Sequence, residues 1–155
     1  MKIFKFSVKW LSTDELKIID LASDTCVLCG HWEKDTFKTS KDSREQIRIE
    51  RIAQKGFHFE WKTKYKLISH HNTSNAILSC IKPLKNQWHI QIGDNSFDIY
   101  SRLSGVLRIL IDGKTLLKET ELNSFIMSVE NDETLFLQLL GIYIAMIKQH
   151  PPTEV

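Results

Sequence analysis

The C-terminal segment NDETLFLQLLGIYIAMIKQHPP constrains the fold of this chain more than any other feature. Between residues 135 and 147 only Gln138 and Gly141 interrupt an otherwise apolar run. A helix on the surface of a soluble protein keeps a polar face, whereas a helix that is apolar all round is buried in a protein core or in lipid. Every side of this segment must therefore be covered, by lipid, by a partner protein or by the rest of the chain.

The residues at the two ends of the run are typical of helix termini. Asn131 is predicted to be the N-cap, and Asp132 and Glu133 place negative charge in the first turn, where the helix dipole favours it. Lys148 lies in the last turn, and the prolines at 151–152 end the helix. The sequence thus predicts one C-terminal helix with defined ends.

Lipid is the weaker of the possible surroundings for this helix. A spanning helix needs roughly 18 or more consecutive apolar residues, and the run is shorter than that and contains Gln138. A partner protein would have to cover both faces of an exposed helix. Burial inside the chain's own fold is the remaining prediction, and a tail anchor and a partner-binding helix are the alternatives.

Most of the remaining sequence alternates with the period of a half-buried strand. In KIFKFSVKW, for example, Phe4, Phe6 and Val8 share one face. Further strands are predicted in ELKIIDLA, TCVLCGHW, NAILSCIKP and SFIMSVE, and hairpin turns at Gln54-Lys55-Gly56, Gly93-Asp94-Asn95 and Asp112-Gly113. The polar stretch at 34–44 is predicted to be the longest loop.

Strands and helix together predict the fold class. An open sheet covers one side of a helix, whereas a sheet that closes covers all sides and removes its own exposed edges. We therefore predict a mainly β (α+β) fold, a closed antiparallel β-barrel around the buried hydrophobic C-terminal helix. Residues 1–150 are predicted to form this single domain, and 151–155 a short tail.

The last third of the chain resembles a known family in the order of its elements. An IDGK turn at 111–114, a short strand at 124–129, an acidic cap at 130–133 and the apolar helix at 135–147 follow one another. This order resembles the tubby C-terminal-like superfamily, which includes LURP-one-related proteins, phospholipid scramblases and small bacterial proteins. The resemblance implies a closed antiparallel barrel around a buried C-terminal helix.

The same resemblance implies the fold more than an activity, because many members of the superfamily have no assigned biochemistry. Tubby domains bind phosphoinositides through basic surface residues, although no lipid-binding motif of the family matches this chain residue by residue. The calcium-binding segment and the palmitoylated cysteine run of scramblases are not visible, which argues against scramblase activity. A non-catalytic binding or scaffold role is the first hypothesis for the function, based on the predicted barrel together with Lys62, Lys64 and Lys66.

Charge and cysteine content restrict the partners and the compartment. The formal net charge is +2, which is too small to imply nucleic acid. The N-terminal MKIFKFSVKW lacks the features of a signal peptide. Three cysteines do not suggest a disulfide framework, so a reducing cytoplasm is the expected location. The sequence leaves the oligomeric state open.

Alternating lysines form the main candidate binding surface. The predicted ligand-binding residues are Lys62, Lys64, Lys66 and Arg48, with Arg48 expected across the hairpin from the lysines. Such a cluster attracts the phosphate groups of anionic lipids. Glu50 and Glu60 dilute it, so a solvated barrel face that maintains solubility is the alternative interpretation.

A thiol site is the alternative function. Cys26 and Cys29 have the spacing of a zinc knuckle, with His31 nearby, which would suit a small metal- or thiol-dependent redox protein. However, no second CxxC follows, Cys80 is solitary, and residues three apart on a regular strand point to opposite faces. Structural cysteines are therefore the competing interpretation, and no metal or cofactor is predicted.

The histidines and the search for catalytic motifs give little indication of a metal site or of an enzymatic function. His70 and His71 are predicted to lie in a polar turn, with a metal site shared with His58 or His89 as the alternative. No GxSxG, P-loop or HExxH motif is present. No catalytic residue is predicted, and a non-enzymatic role is favoured.

Overall fold

The structure, a computed structural model, describes residues 2–40, 47–52, 63–69, 72–102, 105–121, 123–130 and 132–149. Twelve antiparallel strands form a closed barrel in which strands adjacent in sequence pair, and β1 also pairs with β12. The strands are β1 (Lys2–Trp10), β2 (Glu15–Asp20), β3 (Thr25–Glu33), β4 (Thr36–Thr39), β5 (Ile47–Ile52), β6 (Lys64–Ser69), β7 (Asn72–Lys82), β8 (Gln87–Ile92), β9 (Asn95–Tyr100), β10 (Arg108–Ile111), β11 (Lys114–Glu121) and β12 (Ser124–Val129), and the helix α1 spans Glu133–Gln149. The predicted fold class is confirmed.

Alternation along the strands separates the core from the outer surface, as β1 illustrates. Phe6 and Val8 are 1% and 4% exposed, whereas Ile3 on the other face is 64% exposed. Because successive strand side chains point to opposite faces, one face of each strand fills the barrel and the other meets solvent. The predicted inward set of β1 is confirmed.

Two of the three predicted hairpin turns are confirmed. Asp112 and Gly113 join β10 to β11, both with positive φ (50° and 78°), as a type I′ turn requires. Gly93 and Asp94 join β8 to β9, and the φ of Gly93 is 58°. The predicted turn at 54–56 lies outside the described residues.

The predicted loop at 34–44 is wrong in part, because it contains strand β4. In β4, Phe37 is fully buried and the next residue, Lys38, is exposed. The strand pairs with both β3 and β5. A strand of four residues is too short for its alternation to stand out from the polar residues around it. Residues 41–46 lie outside the described part of the chain.

The barrel surrounds the helix on several sides. Residues 139–147 are all buried. Phe136 packs against Phe6 of β1 with ring centroids 5.6 Å apart, and Tyr143 packs against Phe125 of β12 at 4.3 Å. In the described part of the chain, no helix has the length and apolarity to cross a membrane. Self-burial therefore explains the missing polar face.

Gly141 marks the wall that the helix approaches most closely. A Cβ atom at this position would lie 3.1 Å from Leu67 Cδ2 of β6 and 3.8 Å from Ile47 Cγ2 of β5. On the same side of the helix, Gln138 Oε1 accepts a hydrogen bond from Asn95 Nδ2 at 3.1 Å. The absence of a side chain at Gly141 thus allows the helix to lie close to β5 and β6.

The helix cap lies one residue later than predicted. Asp132 Oδ1 accepts a hydrogen bond from the Leu135 backbone N–H at 3.1 Å, and Asp132 O accepts one from Phe136 N–H at 3.0 Å. The side chain of Asp132 thus satisfies one of the backbone donors that a helix start leaves without a partner. Asn131, the predicted cap, lies outside the described residues.

A charge placed in the helix interior should unfold the protein. Leu139 and Ile142 are both fully buried, and an isolated buried carboxylate costs several kcal/mol or more. We expect Leu139→Asp and Ile142→Asp to abolish the cooperative thermal transition measured by circular dichroism. Thr134→Asp, at an exposed position of the first helical turn, should retain it, and a folded Leu139→Asp protein would show that the helix is not the core.

Candidate functional site

The predicted basic residues lie on the outer face of β5 and β6. In the register of this pair, Glu50 is opposite Lys66 and Ile52 is opposite Lys64. Arg48 is therefore diagonal to Lys66, at a distance that long side chains can span. The structure brings Arg48, Lys64 and Lys66 onto one surface, whereas Lys62 lies outside the described residues.

Glu50 compensates only part of this positive charge. Arg48 Nη2 lies 3.1 Å from Glu50 Oε1, so the predicted dilution of the cluster is confirmed at Arg48. In the described part of the chain neither Lys64 nor Lys66 forms an ion pair. Their ammonium groups are available to an external anion.

Lys38 extends this surface onto β4 and was missed in the sequence. It lies directly opposite Arg48 and is exposed. The hydrogen bond from His31 and, secondarily, the charge of Lys38 lower the pKa of Glu33. The alternation of TFKT was the available signal, but the surrounding polar residues concealed it. We call Lys38, Arg48, Lys64 and Lys66 the basic surface.

The two cysteines of the CxxC lie on one face because β3 is irregular. Cys26 is opposite Ile19 and Cys29 is opposite Lys17, which leaves Val27 as an extra residue in β3. This bulge places both thiols on the outer side, rather than on the opposite faces that a regular strand gives. Cys26 is exposed and Cys29 is half-buried.

These thiols do not gather further metal ligands among the described residues. His31 instead pairs with Glu33, at 2.9 Å between Nε2 and Oε1. No group of three or more histidine, cysteine or acidic side chains in the described ranges has the arrangement of a metal site. Cys80 opposes Trp88 and packs against the core, and its burial raises the pKa of its thiol.

The histidines proposed as metal ligands are distributed differently. His89 lies half-buried on β8, where its Nδ1 is 3.1 Å from Asp98 Oδ1 of β9. Its Nε2 is 3.5 Å from Ser96 Oγ. Both ring nitrogens of His89 thus have polar neighbours within the barrel wall. His58, His70 and His71 lie outside the described residues.

A buried polar cluster of Arg102, Glu119 and Tyr143 links the helix to the barrel wall. Arg102 Nε donates to Glu119 Oε1 at 2.7 Å and Nη2 donates to Oε2. Tyr143 from the helix donates its hydroxyl proton to the same Oε2 at 2.7 Å. A buried phenol needs such a hydrogen-bond partner. Arg102 and Glu119 were not identified from the sequence.

The electrostatics of this cluster suit a structural role. Burial, reinforced by the negative charge of Glu119, raises the pKa of Tyr143, so the phenol stays protonated and does not act as a base near neutral pH. Burial acts to lower the pKa of Arg102, but its hydrogen bond and ion pair with Glu119 outweigh burial and raise it. The cluster thus consists of a stable ion pair between Arg102 and Glu119 and of a neutral phenol, Tyr143, that donates a hydrogen bond to Glu119.

An open groove of about 530 Å³ lies beside the first turn of the helix. Its lining combines apolar and acidic side chains: Phe4, Val129, Glu130, Asp132, Glu133 and Phe136. Three carboxylates at its rim disfavour the approach of an anionic ligand. This groove is therefore a poor site for phosphate groups.

The thiols should differ in reactivity. Cys26 is exposed, whereas Cys80 packs against the core and burial raises its pKa, so less of Cys80 is the reactive thiolate. We expect Cys26 to react with Ellman's reagent in the native protein at least tenfold faster than Cys80. Loss of the fastest phase in Cys80→Ser rather than in Cys26→Ser would contradict this order.

Stability should fall at alkaline pH through Tyr143. Its pKa in the folded protein lies above the ordinary value of 10.0, so the folded state holds this proton more tightly than the unfolded state does. This contribution is present below pH 10 and is lost as the pH rises further. Between pH 10 and 11, the free energy of unfolding from urea titrations should fall by up to about 1.4 kcal/mol more in the wild type than in Tyr143→Phe.

If the free energy of unfolding depends on pH in the same way in the wild type and in Tyr143→Phe, Tyr143 is not the group responsible for the loss of stability. At pH 7 the variant should itself be less stable by about 1–3 kcal/mol, because Glu119 loses a buried donor.

Comparison of the chain with protein-family models, with curated proteins and with solved structures gave no match.

Proposed function

We propose that this protein is a non-catalytic, tubby-like binding or scaffold protein that contacts anionic phospholipid head groups at the membrane surface. The contact residues are Lys62, Lys64, Lys66 and Arg48, and Lys38 extends the same surface on β4. The observation that carries the proposal is the outward position of Lys64 and Lys66, which form no ion pair with any described residue.

The distribution of charge along the chain supports this surface. Residues 61–93 contain five lysines and no aspartate or glutamate. Since the net charge of the whole chain is +2, the other residues together carry −3. Positive charge is therefore concentrated on β6, at the end of β7 and in the turn that follows it, as attraction to an anionic surface requires.

The filled interior directs any ligand to the outer surface. Helix α1 occupies the space that a lipocalin-like carrier would use for its ligand, and its residues 139–147 are buried against the strands. The groove beside the first helical turn presents carboxylates. The outer face of β5 and β6 thus combines access with the required charge.

The architecture supports the tubby-like part of the proposal. The resemblance in the last third implies a closed antiparallel barrel around a C-terminal helix, and this chain has that arrangement. Anionic lipids concentrate in the cytoplasmic leaflet. We accordingly place the protein in the cytoplasm, as the absence of a disulfide framework suggests.

Removal of two lysines should weaken lipid binding. Each lysine near an anionic bilayer contributes about 1 kcal/mol, so Lys64→Ala/Lys66→Ala should reduce the partition coefficient roughly 30-fold. The measurement is co-sedimentation with vesicles of 30% phosphatidylserine and 70% phosphatidylcholine at physiological salt.

Lys114→Ala/Lys118→Ala is the matched control, since both lysines are exposed on β11 and the change in net charge is the same. It should retain wild-type binding. Absence of wild-type binding to these vesicles, or equal losses in the two double variants, would overturn the proposal.

A further inference from the structure

Leu84 is the most exposed large apolar side chain described in this structure. Its side chain is fully exposed, at 101%, and Ile81 nearby is 47% exposed. Burial of a leucine side chain stabilises a fold, and Leu84 gains none of this stabilisation within the barrel. Single exposed apolar residues are common, so its conformation and charged neighbours must indicate whether it has a role.

The backbone holds Leu84 away from the barrel. Cys80 pairs with Trp88 and Lys82 with Gln87, so Ile81 is a bulge at the end of β7. Pro83 then begins a short 3-10 helix, Pro83–Lys85, which ends at Asn86 with φ of 50°. Asn86 N–H donates to Pro83 O at 3.2 Å, and Asn86 O accepts from Ser101 N–H at 3.1 Å. The segment is thus preorganised.

Two cations flank the apolar tip. Lys82 and Lys85 are both exposed, and neither forms an ion pair within the described part of the chain. The whole stretch 61–93 is free of acidic residues. A leucine that projects between unpaired lysines matches the boundary of an anionic bilayer, where acyl chains lie directly beneath phosphate groups.

The same segment lies at the end of the barrel where the helix terminates. Lys148 Nζ is 5.1 Å from the centre of the Trp32 ring near the end of β3, and Tyr65 near the start of β6 donates to Gln149. In this meander, β7 also ends and β8 begins at that end, so Leu84 belongs to it. We call this end of the barrel the Lys148 end, and we call the opposite end of the barrel the Glu133 end.

The two ends differ in charge. At the Glu133 end, the described connections (residues 21–24, 40, 93–94, 112–113, 130 and 132) contain no lysine or arginine. Their acidic residues are Asp24, Asp94, Asp112, Glu130 and Asp132. At the Lys148 end, Lys34 and Lys85 accompany Asp14 and Asp35 in the described connections, and Arg102 is neutralised by its ion pair with Glu119. Among the described connections the Lys148 end is therefore the less acidic of the two, and it is the better suited to an anionic surface.

We infer that the segment of Ile81, Lys82, Pro83, Leu84 and Lys85 is a membrane-inserting tip: Leu84 enters the outer acyl region of an anionic phospholipid bilayer, while Lys82 and Lys85 bind the phosphate groups around it. This inference rests on the proposed function and adds to it an insertion site and an orientation. The lysines attract the protein electrostatically, and the leucine provides an attraction that salt does not screen.

Substitution of Leu84 tests the tip. Leu84→Ser should weaken the partition of the full chain into phosphatidylserine-containing vesicles about tenfold, at both low and high salt. Ile3→Ser is the matched control, because Ile3 is 64% exposed and lies on β1 near the Glu133 end; it should bind as the wild type does. Circular dichroism verifies the fold of each variant.

Insertion depth provides a second measurement. In Leu84→Trp, the fluorescence added by the new tryptophan should be quenched by phospholipids brominated on their acyl chains. The tryptophan added by Ile3→Trp should not be quenched. Equal quenching of both, or quenching of neither in vesicle-bound protein, would overturn the insertion of Leu84.

The panel separates this inference from the proposed function. If Lys64→Ala/Lys66→Ala weakens binding and Leu84→Ser does not, the tip is overturned and the proposed function stands. If Leu84→Ser weakens binding and Lys64→Ala/Lys66→Ala does not, the basic surface is overturned and the tip stands. Absence of wild-type binding overturns both, as would Leu84-dependent binding to another protein without binding to vesicles.

Discussion

The architecture depends on one constraint, which is that the C-terminal helix has no polar face and must be covered on every side. An open sheet would leave half of residues 139–147 in water, and each large apolar side chain so exposed forfeits roughly 1.5–3 kcal/mol. Closure of the barrel removes this loss and also leaves no unpaired strand edge. Gly141 then allows the helix to approach β5 and β6 closely, and the pair of Glu119 and Tyr143 satisfies the phenol that burial would otherwise leave without a partner.

The parts of this fold that could be predicted are those set by local periodicity. The inward set of β1, the Asp112-Gly113 turn and the buried helix follow from neighbouring residues alone. Strand β4 could not be predicted, because its four residues stand among polar ones and only pairing with β3 and β5 defines it. Bulges are equally hidden: the extra residue at Val27, which places Cys26 and Cys29 on one face, is a property of the paired strands.

For the candidate site, the sequence indicated where basic residues cluster, but not which of them form ion pairs with carboxylates. The alternation of Lys64 and Lys66 predicted a shared face, and the register places both lysines on it. Glu50 lies opposite Lys66 but pairs with Arg48 on its own strand, a choice that only the side-chain positions reveal. Lys38 joins the surface only through β4, so it was missed with that strand. The Arg102–Glu119 pair was missed for a different reason, since a contact between residues on separate elements leaves no periodic signal.

The pairing of β1 with β12 has a consequence for how the chain acquires its structure. Lys2 lies opposite Val129, so the strand made first finds its second partner only after all the other strands have been made. The helix that fills the interior is made later still. Contacts between such distant residues slow folding, and the apolar inner faces of the early strands have no core to cover until the helix arrives. During synthesis the apolar inner faces of the strands therefore stay exposed, and they can associate with other chains until helix α1 covers them.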